Sequence, residues 1–392
     1  MYKHQASEQM LGYLYQVRYA LYLLLDNENP DSKISIEKFD DVSFEENDIP
    51  TRLLQLKHHV KSNGDLSDSS ADLWRTLQVW IDAVKENHTK LDETDFVIIT
   101  TAKAPKDSAA YYLRNHERNV SVAYDKLQEV TKKSTNKANF HYYDSFKNFD
   151  RVKNLLERIY ILDCASNILD VEKDLRKKIR YSCTPKFENQ VFERLEGWWF
   201  KKVIDALNSS TPTFIKQSQI RNKIFIISQE YTDDNLPIDF FDTNVPNSDL
   251  STEQKVFCEQ LKLICVHNRR LQLAIQDYYR AYQQRAQWVR NDLLYIDEIE
   301  RYEERLIDEW KHAFASMEDE ILSCDITEDE KTRKGRELLT SISNLDISIR
   351  PKCREPFIMR GSYHMLADQL KVGWHVDFLS RLQHLLNSKG GL

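Results

Sequence analysis

Glycine is scarce in this sequence, and the common glycine-dependent motifs are missing with it. The chain has 8 glycines among 392 residues. It contains neither the phosphate loop of P-loop NTPases nor the G-x-G-x-x-G fingerprint of dinucleotide-binding folds. The G-x-S-x-G turn of the α/β-hydrolases is also absent. We therefore expect that the chain does not bind ATP itself.

Cysteine motifs and long apolar runs are lacking too. The 6 cysteines are scattered and form no C-x-x-C motif, which is typical of free thiols in a reducing cytosol. The sequence contains no run of about 18 apolar residues, so it predicts no membrane helix. The N-terminal stretch MYKHQASEQ lacks the features of a signal peptide. We expect a cytoplasmic protein with no membrane partner.

The residues that are present describe a globular protein of more than one domain. The composition, 41% hydrophobic and 30% charged residues, is typical of a soluble globular chain. A length of 392 residues predicts two domains. The net charge of -7 does not exclude nucleic acid as a partner, because an acidic chain can carry a local basic groove.

The hydrophobic pattern of the first part of the chain predicts a mixed α and β core. Apolar residues recur at helical spacing in some segments and alternate at strand spacing in others. The predicted order is helix, three strands, helix and strand, at residues 7–25, 34–36, 42–44, 52–58, 71–86 and 95–101. This order is typical of a mixed sheet flanked by helices, in the α+β or α/β class.

Beyond this core the sequence predicts mostly helices. One more strand is predicted at 158–163, and helices at 108–130, 149–157, 171–180, 190–207, 253–266 and 269–315. The Asp-, Asn-, Pro- and Ser-rich segment 239–251 is typical of a boundary. We predict an N-terminal domain at 1–238, with its core at 1–105, and a mostly α-helical domain at 239–392. The apolar stripe from Trp288 to Trp310 fits equally a bundle core and a docking face for a partner chain.

A polar pair on a short apolar strand marks the candidate site. Alternation puts Leu54 and Leu56 on one face of the strand, with Gln55 and Lys57 on the other. Thirteen residues lie between Asp41 and Gln55, which fits a short strand, a turn and a return strand. Phosphodiester hydrolysis with Mg²⁺ needs oxygen ligands, a positive group near the phosphate and a positioned water. These residues meet that need, and a solvated strand face is the alternative.

Other polar residues around this strand receive simpler interpretations. Glu45 and Glu46 are interpreted as surface charges before a turn. His58 and His59 are interpreted as the end of the strand near the site, with a role as metal ligand or general base as the alternative. The spacing of Asp, Gln and Lys is common by chance, so its strength comes from the predicted strands around it.

Longer stretches around these residues resemble known families. The element order with its D…Q-x-K pattern resembles the PD-(D/E)XK nuclease superfamily, which has a restriction-endonuclease-like fold. The stretches GYLYQ, SIEKFDDVSFE, LLQLKHH and SSADLWRTL resemble the endonuclease domain of CBASS effectors and of the nuclease subunit of Lamassu-type antiphage systems. The stretches RAQWVRNDLLYIDEIERYEERLIDEW and GSYHMLADQLKVGWHVDF resemble the C-terminal region of proteins in three-component systems built around an SMC-like ABC ATPase.

The resemblance implies an activity and a set of partners. It makes Asp41 the metal carboxylate, puts Gln55 at the position usual for Glu, and makes Lys57 the catalytic lysine. The implied cofactor is Mg²⁺ or Mn²⁺, and the implied substrate is double-stranded DNA. The implied protein is a bacterial defence endonuclease that an SMC-like ATPase holds inactive and activates. Its C-terminal helices are expected to dock on that ATPase and on a small third subunit, and its nuclease domains to self-associate when active.

The glutamine departs from the more usual acid and leaves assignments open. An amide binds Mg²⁺ through one neutral oxygen, so a further acid is expected to help. Glu37 is one candidate, and Gln16 in the GYLYQ stretch is an accessory contact by resemblance. Asp40 competes with Asp41 for the main metal position, and the sequence does not decide which of them points inward.

Contact with DNA needs cations near the site. Residues 103–139 hold 8 Lys and Arg against 4 Asp and Glu, and residues 172–186 hold 6 against 2. The candidate phosphate contacts in the first stretch are Lys103, Lys106, Arg114, Arg118, Lys132 and Lys133. A solvated helix face explains either stretch equally well.

Two other functions fit parts of the sequence. A non-catalytic DNA-binding or assembly platform of the same complex is allowed by Gln55. A structural adaptor without DNA contact fits the long charged helices, but it leaves the arrangement of Asp41, Gln55 and Lys57 unexplained. Loss of biological activity on Lys57→Ala separates the nuclease from both.

Overall fold

The protein divides into two compact units, Met1–Ser228 and Gln229–Leu392, called here the N-terminal and C-terminal units. The structure is a computed structural model that describes residues 5–46, 49–58, 65–134, 139–211, 213–243, 255–322 and 326–387. The predicted boundary segment 239–251 lies outside the described residues from residue 244 onward. None of the described helices combines the length and the apolar character that crossing a membrane requires.

The N-terminal unit contains a six-stranded mixed sheet. Its strands are β1 (Lys33–Ile36), β2 (Val42–Glu46), β3 (Ile49–Lys57), β4 (Asp95–Thr100), β5 (Ile159–Leu162) and β6 (Ile215–Lys216). Their order in the sheet is β5-β4-β3-β2-β1-β6. The pairs β6–β1, β1–β2 and β2–β3 are antiparallel, whereas β3–β4 and β4–β5 are parallel. The predicted mixed sheet is confirmed, including the strand predicted at 158–163.

Helices surround this sheet. They are α1 (Gln5–Asp26), α2 (Ala71–Lys85), α3 (Ala109–Tyr112), α4 (Val120–Lys133), α5 (Phe140–Lys147), α6 (Val152–Arg158), α7 (Ile168–Ile179), α8 (Glu188–Leu207) and α9 (Gln217–Glu230). Leu53, Phe96 and Ile159 are register partners on one sheet face. This face packs on the buried apolar side of α2, where the Trp80 and Phe96 ring centroids are 5.2 Å apart. Gln55 belongs to the same strand face, since its side chain lies two residues from Leu53.

Two long predicted helices are interrupted. The helix predicted at 108–130 ends with α3 and restarts at α4, because the Asn119 side chain accepts a hydrogen bond from Val122 N–H and caps a new helix. The helix predicted at 269–315 breaks between Arg290 and Glu298. Asp292 and Asp297 adopt φ of 52° and 57° there, a left-handed conformation that ends a helix.

The C-terminal unit is mostly helical, as predicted. Its helices are α10 (Val256–Leu263), α11 (Asn268–Arg290), α12 (Glu298–Leu322), α13 (Glu328–Ser343), α14 (Pro356–Asp368) and α15 (Phe378–Asn387). Trp288 and Leu306 from the predicted apolar stripe are 0% exposed, and Trp310 is 8% exposed. These side chains of the stripe therefore form the core of the unit itself. Ile296 is the contrast, at 86% exposed.

The close crossing of α11 and α14 depends on a glycine. A Cβ atom built on Gly361 would lie 2.1 Å from the carbonyl oxygen of Asp277 and 2.5 Å from the Cβ of Ala281. We expect Gly361→Ala to destabilise the C-terminal unit by about 1–3 kcal/mol, because both neighbours belong to a packed helix and side-chain rotation cannot relieve the clash. Hydrogen exchange of the α14 amides measures this loss.

The matched control for this change is Gly197→Ala in α8, where nothing lies within 4 Å of the added Cβ. That variant is expected to gain about 0.5–1 kcal/mol, since alanine has the higher helix propensity. Equal α14 protection in Gly361→Ala and wild type would contradict the close crossing.

Candidate metal and phosphate site

A five-residue hairpin turn brings an acidic group to the end of strand β3. Ile36 pairs with Val42, so residues 37–41 form the turn between β1 and β2. The turn is closed by a hydrogen bond from Glu37 N–H to the Asp41 carbonyl at 3.1 Å, and Glu37 has a left-handed φ of 55°. Because Val42 also pairs with Leu54, Asp41 reaches the level of Gln55 and the last residues of β3.

Asp41 is the carboxylate that faces β3. It is 9% exposed, and its Oδ2 accepts a hydrogen bond from the Leu56 N–H at 2.7 Å. The side chains of Gln55 and Gln16 are near enough to act on the pKa of this carboxylate. Burial raises the pKa of Asp41, while the Leu56 N–H, the positive charge of Lys57 and the two amides act against that rise.

A lysine and a second carboxyl lie close to this group. The positive charge of Lys57 acts to lower the pKa of Glu37, Asp40 and Asp41. Burial, followed by the negative charge of Asp41, raises the pKa of Glu37. The structure therefore brings together the predicted acids and the predicted lysine around Asp41. Gln55 is only 8% exposed, so the alternative of a solvated strand face is wrong for this residue.

Asp40 faces away from β3, toward helix α2. Its Oδ2 accepts a hydrogen bond from Trp80 Nε1 at 2.6 Å, and its Oδ1 accepts one from the Asp41 N–H at 2.9 Å. Burial, followed by the charge of Asp41, raises the pKa of Asp40 to about 7, and the hydrogen bonds from Trp80 and the backbone oppose the rise. Both oxygens of Asp40 accept hydrogen bonds, and the one from Trp80 holds the side chain toward α2.

Helix α1 supplies Gln16 from the other side. The preceding residue, Tyr15, is 0% exposed, and its hydroxyl donates to the Ser166 carbonyl at 3.0 Å. The Tyr15 ring lies 4.7 Å from the ring of His58, measured between centroids. These contacts hold α1 against the end of β3 and set Gln16 beside Asp41. His59 lies outside the described residues.

Glu45 corrects one of the sequence interpretations. It is 2% exposed, so the prediction of a surface charge is wrong, whereas Glu46 is exposed as predicted. The Glu45 carboxylate accepts hydrogen bonds from Ser35 Oγ at 2.6 Å and from Lys38 Nζ at 3.1 Å. The serines that alternate with apolar residues in β1 and β2 were the available signal, because a buried polar stripe needs partners.

Arg118, one of the predicted DNA contacts, is engaged inside the protein. Its guanidinium donates to the carbonyls of Leu113 at 3.1 Å, Ile159 at 2.8 Å, Leu156 at 3.1 Å and Glu157 at 2.7 Å. These bonds tie the segment after α3 to the end of α6. They leave few of its five N–H donors for a phosphate.

The other predicted DNA contacts are more accessible. Lys103 and Lys106 are exposed, as are Lys132 and Lys133, whose ammonium groups each contact a side chain one turn earlier in α4. Arg114 is half-buried and pairs with a carboxylate that follows β5. The chain after β4 leaves the sheet beside the end of β3, so Lys103 and Lys106 lie at the same edge of the sheet as the site. Contact with DNA stays a prediction.

Among the described residues, one group of three acidic or histidine side chains has ligand atoms close enough to one another to hold a metal. It comprises Glu328, His375 and Asp377, whose ligand atoms lie within 4.8 Å of one another. His375 Nδ1 accepts a hydrogen bond from the Asp377 N–H at 3.1 Å, so a neutral ring carries its proton on Nε2, which lies 3.3 Å from Glu328 but makes no aligned hydrogen bond. Arg381 pairs with both carboxylates, at 2.6 and 3.2 Å. The ion pairs of Arg381 connect α13 to α15, so a structural role without a metal accounts for this group.

Comparison with known protein families gives one result for the C-terminal unit. Residues 257–382 match the model of C-terminal domain 7 of the ABC-three component (ABC-3C) systems. The match runs from α10 into α15 and supports membership of the chain in such a system, with a defence-related role. It does not extend to the sheet and its cluster of polar residues. A comparison with curated proteins gives no match.

Proposed function

We propose that this component of an ABC-three component system is its metal-dependent DNA endonuclease. The observation that carries the proposal is the convergence of Asp41, Gln55 and Lys57 at the end of β3. The same three positions give the sequence its resemblance to the PD-(D/E)XK nucleases. A restriction-endonuclease-like fold for the N-terminal unit belongs to the proposal, and the mixed sheet supports it.

The donor set fits a hard divalent cation. Carboxylate and amide oxygens are the ligands that Mg²⁺ and Mn²⁺ prefer, and Asp41, Glu37 and Gln55 supply them within one turn and one strand. The Gln55 side chain acts on the Asp41 carboxylate, and its amide offers one neutral oxygen to such a cation. A bound cation would supply charge stabilisation at the phosphate and a more acidic water.

The protein side chains have separate tasks in this proposal. Asp41, fixed by the Leu56 N–H, holds its charge at one place. Lys57 neutralises negative charge that develops on the phosphate, or orients the attacking water, because its positive charge already acts on Glu37 and Asp41. Gln16 limits the freedom of the Asp41 side chain from the side of α1. Lys103 and Lys106 are proposed to contact the DNA backbone at the same edge.

Partner subunits are part of the proposal. A nuclease that reads little sequence is harmful when always active, so an SMC-like ATPase is proposed to hold it inactive and to release it. The C-terminal unit, which carries the domain match, is proposed to dock on that ATPase and on a small third subunit. Activation is proposed to bring nuclease domains of two chains together on double-stranded DNA.

The second candidate function is a non-catalytic DNA-binding or assembly platform. One observation favours it: the position usual for an acid holds Gln55, and its amide is engaged with Asp41. A neutral ligand binds a divalent cation more weakly than a carboxylate. A platform would keep its role in the complex without hydrolysis.

Cleavage of supercoiled and linear DNA separates the two functions. Wild type and Lys57→Ala are assayed alone and with the partner subunits, in Mg²⁺, Mn²⁺ or EDTA. We expect metal-dependent cleavage by wild type and a loss of about 10²–10³-fold in Lys57→Ala, because a charge-stabilising group is removed. Lys90→Ala, at a lysine whose exposed ammonium pairs with Glu93, is the control and should cut like wild type. DNA binding without cleavage in every combination, with phage protection unchanged in Lys57→Ala, would support the platform.

A further inference from the structure

The acidic turn is held in place by a side chain that comes from outside the strands. Trp80 lies in the middle of α2, is 0% exposed, and packs on Phe96 of β4. Its Nε1–H donates to Asp40 Oδ2 at 2.6 Å across 40 residues of sequence. A buried indole N–H needs an acceptor, and here the acceptor is the residue directly before Asp41.

Besides the hydrogen bond from Trp80, Asp40 accepts a second hydrogen bond from the backbone of the next residue. Asp40 Oδ1 accepts the Asp41 N–H at 2.9 Å, while Oδ2 is held by Trp80. One carboxylate therefore connects a rigid helix to the peptide group that carries the Asp41 side chain. The Asp41 side chain then meets the Leu56 N–H at 2.7 Å. The path from α2 to Asp41 consists of two hydrogen bonds, each to a different oxygen of Asp40.

We propose that Trp80, acting through Asp40, is a positioning residue for the divalent cation at Asp41. The inference rests on the proposed function, which it deepens by assigning a second layer of residues around the metal. Hydrogen bonds that orient a metal ligand fix its direction before the ion arrives, and their loss costs affinity for the ion. Asp40 is then assigned a positioning role, since its carboxylate is directed toward Trp80 and the Asp41 peptide group.

Trp80→Phe tests this proposal, because phenylalanine keeps an aromatic ring against Phe96 and removes only the N–H donor. The readout is the affinity of the full-length chain for Mn²⁺, measured by electron paramagnetic resonance without DNA. We expect the Mn²⁺ affinity of Trp80→Phe to fall by about 10–100-fold, with the affinity for DNA in EDTA unchanged. Asp40→Asn should lower it similarly, since one amide oxygen cannot replace two carboxylate oxygens as acceptors.

Trp74→Phe is the matched control. Trp74 lies in the same helix, is also 0% exposed, and its Nε1–H donates to the Asp68 carbonyl at 2.7 Å. Trp74→Phe therefore removes the same type of bond and a similar aromatic packing surface, and the bond that it removes goes to Asp68 and not to the turn. We expect its Mn²⁺ affinity to equal that of wild type, even where its melting temperature falls as far as that of Trp80→Phe.

The outcomes separate this inference from the function on which it rests. Wild type that binds Mn²⁺, with Trp80→Phe and Asp40→Asn binding equally well, overturns the positioning role alone. Equal losses of affinity in Trp80→Phe and Trp74→Phe also overturn it, because the effect would then be general destabilisation. Wild type that binds no Mn²⁺ overturns both the metal site and the positioning role. If Trp80→Phe does not fold, the comparison of Asp40→Asn with Trp74→Phe decides.

Discussion

Asp41→Asn is expected to lower metal-dependent DNA cleavage by at least about 10³-fold, because metal assistance contributes several kcal/mol to such reactions. Asparagine retains an oxygen that can accept the Leu56 N–H, which Asp41 Oδ2 now accepts at 2.7 Å. It removes the negative charge that a divalent cation needs. The remaining amides of Gln55 and Gln16 are neutral, and Glu37 alone does not replace the central carboxylate.

The same change is expected to leave the fold intact or slightly more stable. Burial raises the pKa of Asp41, which means that the folded protein disfavours the charged form relative to solvent. A neutral side chain avoids that cost near pH 7. The melting temperature of Asp41→Asn should therefore equal or exceed that of wild type, as is common where an active site holds a strained charge.

The control for this pair of measurements is Asp144→Asn in α5, where the carboxylate side chain is 70% exposed. It removes the same charge far from the turn and should change neither the cleavage rate nor the melting temperature. Cleavage by Asp41→Asn within about tenfold of wild type, in the same assembly of subunits, would show that Asp41 does not hold the metal.

Arg350→Met is expected to destabilise the C-terminal unit by about 3–5 kcal/mol, the usual cost of breaking a buried ion pair from one side. The Arg350 side chain is 4% exposed, and its Nε and Nη2 donate to the two Glu298 oxygens at 2.7 and 2.8 Å. It also donates to the carbonyls of Leu293 at 2.8 Å and Asn235 at 2.9 Å. Methionine fills part of the volume but leaves one buried carboxylate and two carbonyls without these donors.

Urea unfolding and hydrogen exchange of α12 measure this loss. Arg354→Met is the matched control, because the Arg354 side chain is 64% exposed and contacts Asp346 at 3.4 Å. An exposed pair of this kind contributes about 0–1 kcal/mol. The double variant Arg350→Met with Glu298→Gln should recover part of the loss, since the unpaired charge is gone. Equal stabilities of Arg350→Met and Arg354→Met would contradict a stabilising role for the buried ion pair between Arg350 and Glu298.

Local pattern predicted the strand geometry around the candidate site, because alternation along a strand decides which residues share a face. Leu54 and Leu56 point to one face, so Gln55 and Lys57 had to share the other, and a short hairpin had to return Asp41 to their level. The structure has this arrangement, with Val42 paired to Leu54. The resemblance alone suggested Gln16, whose side chain acts to lower the pKa of Asp41.

Strand alternation and helical spacing could not predict contacts between segments that are distant in sequence. Trp80 is a core residue by its helical spacing, and nothing in that spacing shows that its N–H meets Asp40. Glu45 is buried because Ser35 and Lys38 supply donors from the neighbouring strand and turn. Strand β6 has only two residues, so no periodicity marks it. Arg118 lies in a basic stretch, yet four carbonyls hold it. Each of these depends on tertiary packing that overrides local pattern.

Titration of Mn²⁺ into the full-length chain, followed by electron paramagnetic resonance, tests the central claim most directly, because binding of the ion does not require activation by partner subunits. Wild type and Asp41→Asn are compared at the same pH. We expect a bound Mn²⁺ in wild type and an affinity lower by at least about tenfold in Asp41→Asn. Wild type without a Mn²⁺ site at millimolar concentrations, or equal binding by both proteins, would contradict it.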